Sequence, residues 1–259
     1  MINLLDFGTG FNMQIQQLSS QAGEWEYSLT PYLWLPTISM DSSRTPFINL
    51  PGINRPGLDV GPTDYLEALD FGFMIAGDMR NDEFVFMGDY IYLDFSVDDK
   101  DINLKGAGLT PATYDMSLTG NLLTLLGGKT VIKKENYSMD LLAGWRYFDL
   151  GVELKRNAAV IPGLSGSTSP DLTRNDFILA VNGRYEFSND EWSLPYYADI
   201  GTGESDLTWQ AMVGVDYQFD WGKLFANYRH LDYDMGDAKS FTDLELTFSG
   251  PSFGARFEF

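Results

Sequence analysis

The chain has 259 residues, with 37 acidic against 17 basic side chains and a formal charge of −20. That balance excludes a nucleic-acid partner, because phosphate binding needs clustered Lys and Arg. Cysteine is absent, which excludes a disulfide framework, a thiolate zinc site and a cysteine nucleophile.

In chain order, residues 1–23 come first and read as an N-terminal tail or leader remnant. They carry no Lys or Arg, and Asp6 and Asn12 interrupt their apolar run, which makes a poor signal peptide. Ser20-Gln21-Ala22 nevertheless has the small-residue character of a cleavage site. Residues 24–259 read as one domain, since no Pro/Ser-rich linker or shift of composition divides them. No stretch reaches the roughly 20 consecutive apolar residues of a membrane helix. If the chain spans a membrane it does so as a closed barrel, the other structure that satisfies every backbone group there.

Apolar and polar residues alternate with period two almost throughout, which is the signal of a strand. It predicts strands over 25–39, 71–80, 84–96, 114–133, 137–153, 177–187, 192–202, 207–219, 224–234 and 244–259. In the sixth, Phe177, Leu179, Val181 and Tyr185 share one face while Asn182, Arg184 and Glu186 lie on the other. The eighth repeats this, with Trp209, Val213, Val215 and Tyr217 opposite Thr208, Gln210, Asp216 and Gln218. Residues 62–69, opened by Pro62 and a Thr63 or Asp64 cap, predict one or two helical turns within the first long connection.

The connections alternate in length. Asn81-Asp82, Lys134-Glu135-Asn136, Asn189-Asp190 and Asp220-Trp221-Gly222 are tight polar turns. Between them fall 40–70, 97–113, 154–175, the brief 203–206, and 235–243. Short turns on one rim and longer loops on the other describe an all-β, closed, antiparallel up-and-down transmembrane barrel of about ten strands, with both termini on the short-turn side. Eight or twelve strands are the neighbouring counts.

Alternation alone does not say which face is inside, since a soluble ligand-binding barrel would turn its apolar face inward. Charge helps. The polar faces carry Asp78, Arg80, Asp89, Asp140, Arg146, Arg184, Glu186, Asp199, Asp216, Arg229, Arg256 and Glu258, a set near neutrality in a strongly acidic chain. A confined lumen needs that balance because unpaired charge there is costly, and a solvated outer wall does not. Arginine rather than lysine also suits bidentate pairing with carboxylates. These residues are therefore placed inside, with Arg146, Arg184, Arg229 and Arg256 pairing among Asp89, Asp140, Asp199 and Glu258 as a lumenal charge network. On the opposite face, Trp25, Tyr27, Tyr137, Trp145, Tyr147, Tyr185, Trp192, Tyr196, Trp209, Tyr217 and Tyr228 read as aromatic girdles at a membrane interface.

The chain closes on Phe253, Ala255, Phe257 and Phe259 along one face. This resembles the C-terminal signature of outer-membrane proteins read by the barrel-assembly machinery, and implies that Phe257 and Phe259 are the assembly signal. Tyr32-Leu33-Trp34, Gly88-Asp89-Tyr90-Ile91-Tyr92, Ala143-Gly144-Trp145-Arg146-Tyr147 and Asn227-Tyr228-Arg229-His230-Leu231-Asp232-Tyr233 resemble a family of small, porin-like outer-membrane β-barrel proteins of proteobacteria, mostly without assigned activity. The resemblance implies the bacterial outer membrane as location, with its lipid and lipopolysaccharide as partners.

His230 is the sole histidine, which excludes multi-histidine metal sites. By parity it shares the outer face with Leu224, Ala226 and Tyr228, near the long-loop rim, where a structural role is expected. Asp98, Asp99 and Asp101, with Asp232, Asp234 and Asp237, form acidic clusters toward that rim and read as solvated surface, the alternative being divalent cations bridging to lipopolysaccharide. The expected function is a structural or narrow-pore barrel passing small polar solutes, without enzymatic activity, metal or cofactor. The alternatives are an outer-membrane barrel enzyme acting on lipid A or peptides, for which no nucleophile beside His230 stands out, and a soluble ligand-binding barrel.

Overall fold

A computed structural model describes residues 24–42, 58–102, 112–157, 166–168, 171–187, 191–236 and 244–259. Its strands are β1 (Glu26–Trp34), β2 (Thr37–Ser42), β3 (Leu58–Val60), β4 (Leu69–Arg80), β5 (Phe84–Ile102), β6 (Ala112–Lys134) and β7 (Tyr137–Asn157). They continue with β8 (Gly166–Thr168), β9 (Asp171–Glu186), β10 (Trp192–Gly203), β11 (Leu207–Phe219), β12 (Gly222–Asp234) and β13 (Leu244–Glu258). Chain neighbours pair antiparallel around the sheet, and β1 pairs with both β4 and β13, which closes the cylinder. Both β1 and β2 lie on β13, so they are two halves of one stave interrupted at Leu35-Pro36, where Pro36 has no N–H for the ladder. With β3 and β8 as short additions at the long-loop rim, the wall has ten staves.

Every backbone group in such a wall is paired without a free edge. The last junction is made by the chain end: Tyr27 N donates to Phe259 O (3.2 Å) and Phe259 N to Tyr27 O (2.9 Å). The Asn81 turn is held by its own side chain, whose Oδ1 accepts from Glu83 N (2.9 Å) and Phe84 N (2.7 Å). The expected turn at Asn189-Asp190 lies outside the described residues.

Strands β5, β6 and β7 run for 19, 23 and 21 residues, against 12 or 13 in β10, β11 and β12. At about 3.3 Å per residue this sheet stands roughly 25 Å taller on one side. Parts of 97–113 and 154–175 expected as loops are therefore strand, because pairing with each other satisfies their backbone groups. The helical turns fall where Pro62 predicts them, as Pro62–Tyr65 followed by a 3-10 turn Leu66–Ala68. Tyr65 docks this piece: its hydroxyl donates to Pro36 O (2.8 Å) and its ring packs edge-on to Phe95 at 5.6 Å.

Leu29, Phe73, Leu125, Leu141, Phe177, Leu179, Ile200, Val213 and Tyr228 are exposed on the outer face, while Asp78, Asp140, Arg146, Asp199, Asp216 and Arg229 are buried within. That orientation overturns the soluble ligand-binding barrel. Around the short-turn rim the rings form a chain of contacts, Trp192 to Tyr217, Tyr217 to Phe219, Phe219 to Trp221 and Trp221 to Phe257. This is the girdle pattern of a membrane interface.

Candidate functional site

Inside the barrel the side chains form layers. Nearest the short-turn rim, Arg256 Nη2 donates to Asp78 Oδ1 (2.6 Å) and Arg256 Nε to Glu258 Oε1 (3.1 Å). Lys223 Nζ reaches the same Glu258 oxygen at 2.9 Å, and Arg184 Nη2 donates to Asp216 Oδ2 (2.8 Å). Arg80 lies between Asp140 (3.5 Å) and Asp78 (3.8 Å). Asp140 is completed by Thr130 Oγ1 (2.8 Å) and Asn182 Nδ2 (3.0 Å).

Deeper in, Arg229 Nη2 pairs with Asp89 Oδ2 (2.8 Å), Nη1 donates to Tyr32 Oη (3.0 Å), and Nε donates to Gln210 Oε1 (3.0 Å). Its guanidinium lies 4.6 Å from the Trp34 ring centre, a cation–π contact out of water. At similar depth Arg146 grips Asp199 with both terminal nitrogens, its Nε donates to Thr124 Oγ1 (3.1 Å), and Tyr197 Oη donates to Asp199 Oδ2 (2.6 Å). Neither Arg146 nor Asp199 has solvent-exposed side-chain surface.

All eight residues placed in the lumenal network by charge balance, Asp89, Asp140, Arg146, Arg184, Asp199, Arg229, Arg256 and Glu258, lie inside and in ion pairs. The partners are partly different: Asp78 and Asp216 take Arg256 and Arg184, while Asp140 faces Arg80. Gln210, placed on the polar face by alternation, completes the layers together with Lys223, Tyr32 and Tyr197, which sequence reasoning passed over. The parity of β12, extended by one residue before the predicted start at 224, would have found Lys223.

Toward the long-loop rim the lumen turns apolar. Trp34, Met74, Ile91, Leu122, Phe148 and Leu172, together with Leu231, Tyr233, Met235, Leu244 and Leu246, form one buried cluster drawn from eight of the ten staves. Phe148 and Tyr233 meet across it, ring centroids 4.9 Å apart and tilted by 37°. Sequence reasoning gives the lumen as a charge network, and this apolar part of it is an addition from the structure. Strand β12 shows the change within a few residues, its inner face running Lys223, Phe225, Asn227, Arg229, Leu231, Tyr233. From the short-turn rim a cavity of about 670 Å³ runs past the outer charged layer to the deeper one, with Glu26, Arg80, Glu186 and Lys223 near the mouth and Tyr32 and Arg229 at its end. It is a vestibule at the short-turn rim that ends at the Arg229 layer, with the apolar cluster beyond.

His230 lies on the outer face as parity predicts, half-buried, with Ser249 on β13 opposite it. Asp232 also faces out and accepts from Thr247 Oγ1 (2.7 Å). The side chains of Asp98, Asp99, Asp101 and Asp237 lie outside the described residues. Phe257 and Phe259 are exposed at the short-turn rim, Phe259 the more so.

No family model matches the sequence, and no curated protein matches it. Among solved structures, the chain is similar to the translocator domain of the autotransporter NalP from Neisseria meningitidis, at 13% identity, covering 98% of each chain, with a TM-score of 0.53. It is also similar to the outer membrane protease OmpT from Escherichia coli, at 11% identity over 92% of this chain and 98% of that one, TM-score 0.45. The first of these likenesses is one of fold: a closed antiparallel membrane barrel.

Proposed function

We propose that this chain is an integral outer-membrane β-barrel whose lumen is closed by its own side chains, a structural rather than a conducting barrel. The observation that carries this reading is the buried apolar cluster spanning the long-loop half of the lumen beyond two ion-paired layers. A hydrated path for a polar solute would have to displace those side chains, and ten strands make an interior only somewhat wider than the eight-stranded one that side chains just fill, far from the roughly 16–18 strands of an open aqueous channel. The short-turn rim with its vestibule then faces the periplasm and the long loops face outward. Lipid and lipopolysaccharide are the partners of the outer wall. Phe257 and Phe259 serve the barrel-assembly machinery, a role supported by their exposure at the rim where β13 meets β1.

Planar-bilayer recording tests the closed lumen. The folded wild-type chain is expected to give no discrete conductance steps, while Phe148→Ala with Leu246→Ala, which thins the cluster, gives small ones. Steps of the same size in both would overturn the closed reading and favour the narrow-pore alternative, which the vestibule of about 670 Å³, with Arg80, Arg184, Lys223 and Arg256 in its lining, supports.

A further inference from the structure

The outer wall carries one constellation that lumen closure does not use. On β12 and β13, His230 and Ser249 are direct partners across the ladder, and Ser249 Oγ sits 2.5 Å from His230 Nδ1. The Trp209 ring lies against the imidazole, centroids 4.5 Å apart and tilted by 34°, and limits its rotation. Among the described residues no side chain hydrogen bonds to His230 Nε2, so the serine is the imidazole's one side-chain hydrogen-bond partner.

The height of the pair on the wall is the second observation. One ladder step toward the long loops, Asp232 faces Thr247, and beyond them Asp234, Glu245 and Asp41 form an acidic row. One step the other way, Tyr228 faces Pro251, with Tyr228 54% and Val213 53% exposed on the apolar surface. The pair therefore stands where the wall changes from apolar to charged. In a bilayer that level holds the ester carbonyls joining acyl chains to their headgroups.

We infer that Ser249 and His230 form a nucleophile and general-base pair that cleaves acyl esters of membrane lipid at the level of the long-loop rim. Ser249 Oγ attacks the ester carbonyl carbon while its proton passes to His230 Nδ1. The bond from that carbon to the alkoxy oxygen breaks, and the departing oxygen takes the proton, leaving the acyl group on Ser249. Water then attacks the acyl carbon, gives a proton to His230, and the acid leaves as Ser249 Oγ recovers it. No oxidant or metal is needed, and base assistance of this kind is worth about 10² to 10⁴ in rate.

The inference rests on the proposed membrane orientation, and its test separates the two. The full chain is folded into vesicles of phosphatidylethanolamine and phosphatidylglycerol, with and without lipopolysaccharide, and checked for heat-modifiable gel mobility and resistance to carbonate extraction. A fluorophosphonate is then added and the adduct located by mass spectrometry, alongside measurement of free fatty acid. The expected result is an adduct on Ser249 and fatty acid release that falls at least about a hundredfold in Ser249→Ala and His230→Gln, both still heat-modifiable. Release without lipopolysaccharide identifies a phospholipid ester; release only with it identifies an ester of the lipopolysaccharide. An inserted wild type with neither adduct nor release above Ser249→Ala overturns the esterase alone. Extraction of the chain by carbonate overturns the membrane orientation and the esterase with it.

Discussion

Arg146 on β7 and Asp199 on β10, 53 residues apart in sequence, clasp each other over the intervening strand β9 by two hydrogen bonds, with no water-accessible surface on either side chain. Thr124, Thr208 and Tyr197 take up further donors and acceptors of the pair, so its desolvation is offset only as a complete set. Removing one member leaves a buried, uncompensated charge. Arg146→Ala should therefore destabilise the barrel by about 3–5 kcal/mol, whereas Arg146→Leu combined with Asp199→Leu should cost far less. Urea unfolding in lipid vesicles, followed by tryptophan fluorescence, reads both; equal losses in the two variants would show that the pair itself holds the staves together.

Where β6 and β7 bend around the lumen, two inward positions admit no side chain. A Cβ on Gly144 would lie 1.9 Å from the Leu125 carbonyl oxygen, and one on Gly128 would lie 2.0 Å from that of Leu141. Gly144→Val should force the strands apart and abolish the heat-modifiable folded form. Gly120→Ala on β6, whose Cβ would meet Leu150 at an ordinary 4.0 Å, should retain it. Gel mobility before and after heating distinguishes them.

The helical turn over the long-loop rim depends on the Tyr65 hydroxyl, which donates to Pro36 O at 2.8 Å. Burial pushes its pKa up to about 12 from an ordinary value near 10. A raised acid in the folded state contributes stability that is whole below pH 10 and is lost as pH climbs toward 12. Amide exchange in Pro62–Ala68 should accelerate over that window, and Tyr65→Phe, lacking a bond worth about 1 kcal/mol, should show the faster exchange already at neutral pH. An alkaline response unchanged in Tyr65→Phe would assign it to another group.

The ten staves and the inside placement of charge were legible because period-two alternation and charge balance both survive in a single sequence. Arg184, alternating with Val181, Gly183 and Tyr185, announces its own face. The apolar half of the lumen was not legible for the same reason. Around 90–93 and 122–123 both faces are apolar or aromatic, so Ile91 and Leu122 carry no mark that they point inward. Nor could spacing bring Ser249 to His230, since their meeting depends on the register of β12 on β13. The choice of ion partners is also a matter of register: Asp78 reaches Arg256 only because β1 joins β4 to β13.

The outward apolar face and the one-sided vestibule are tested together by thiol labelling of single-cysteine variants, which is unambiguous because the chain contains no cysteine. With the barrel in sealed vesicles, a charged, membrane-impermeant reagent should modify Thr30→Cys from the short-turn side alone. It should leave Leu246→Cys in the cluster and Leu179→Cys on the outer wall untouched, while a lipid-soluble maleimide should reach Leu179→Cys. Rapid modification of Leu179→Cys by the charged reagent, with Thr30→Cys protected, would contradict the account at its base.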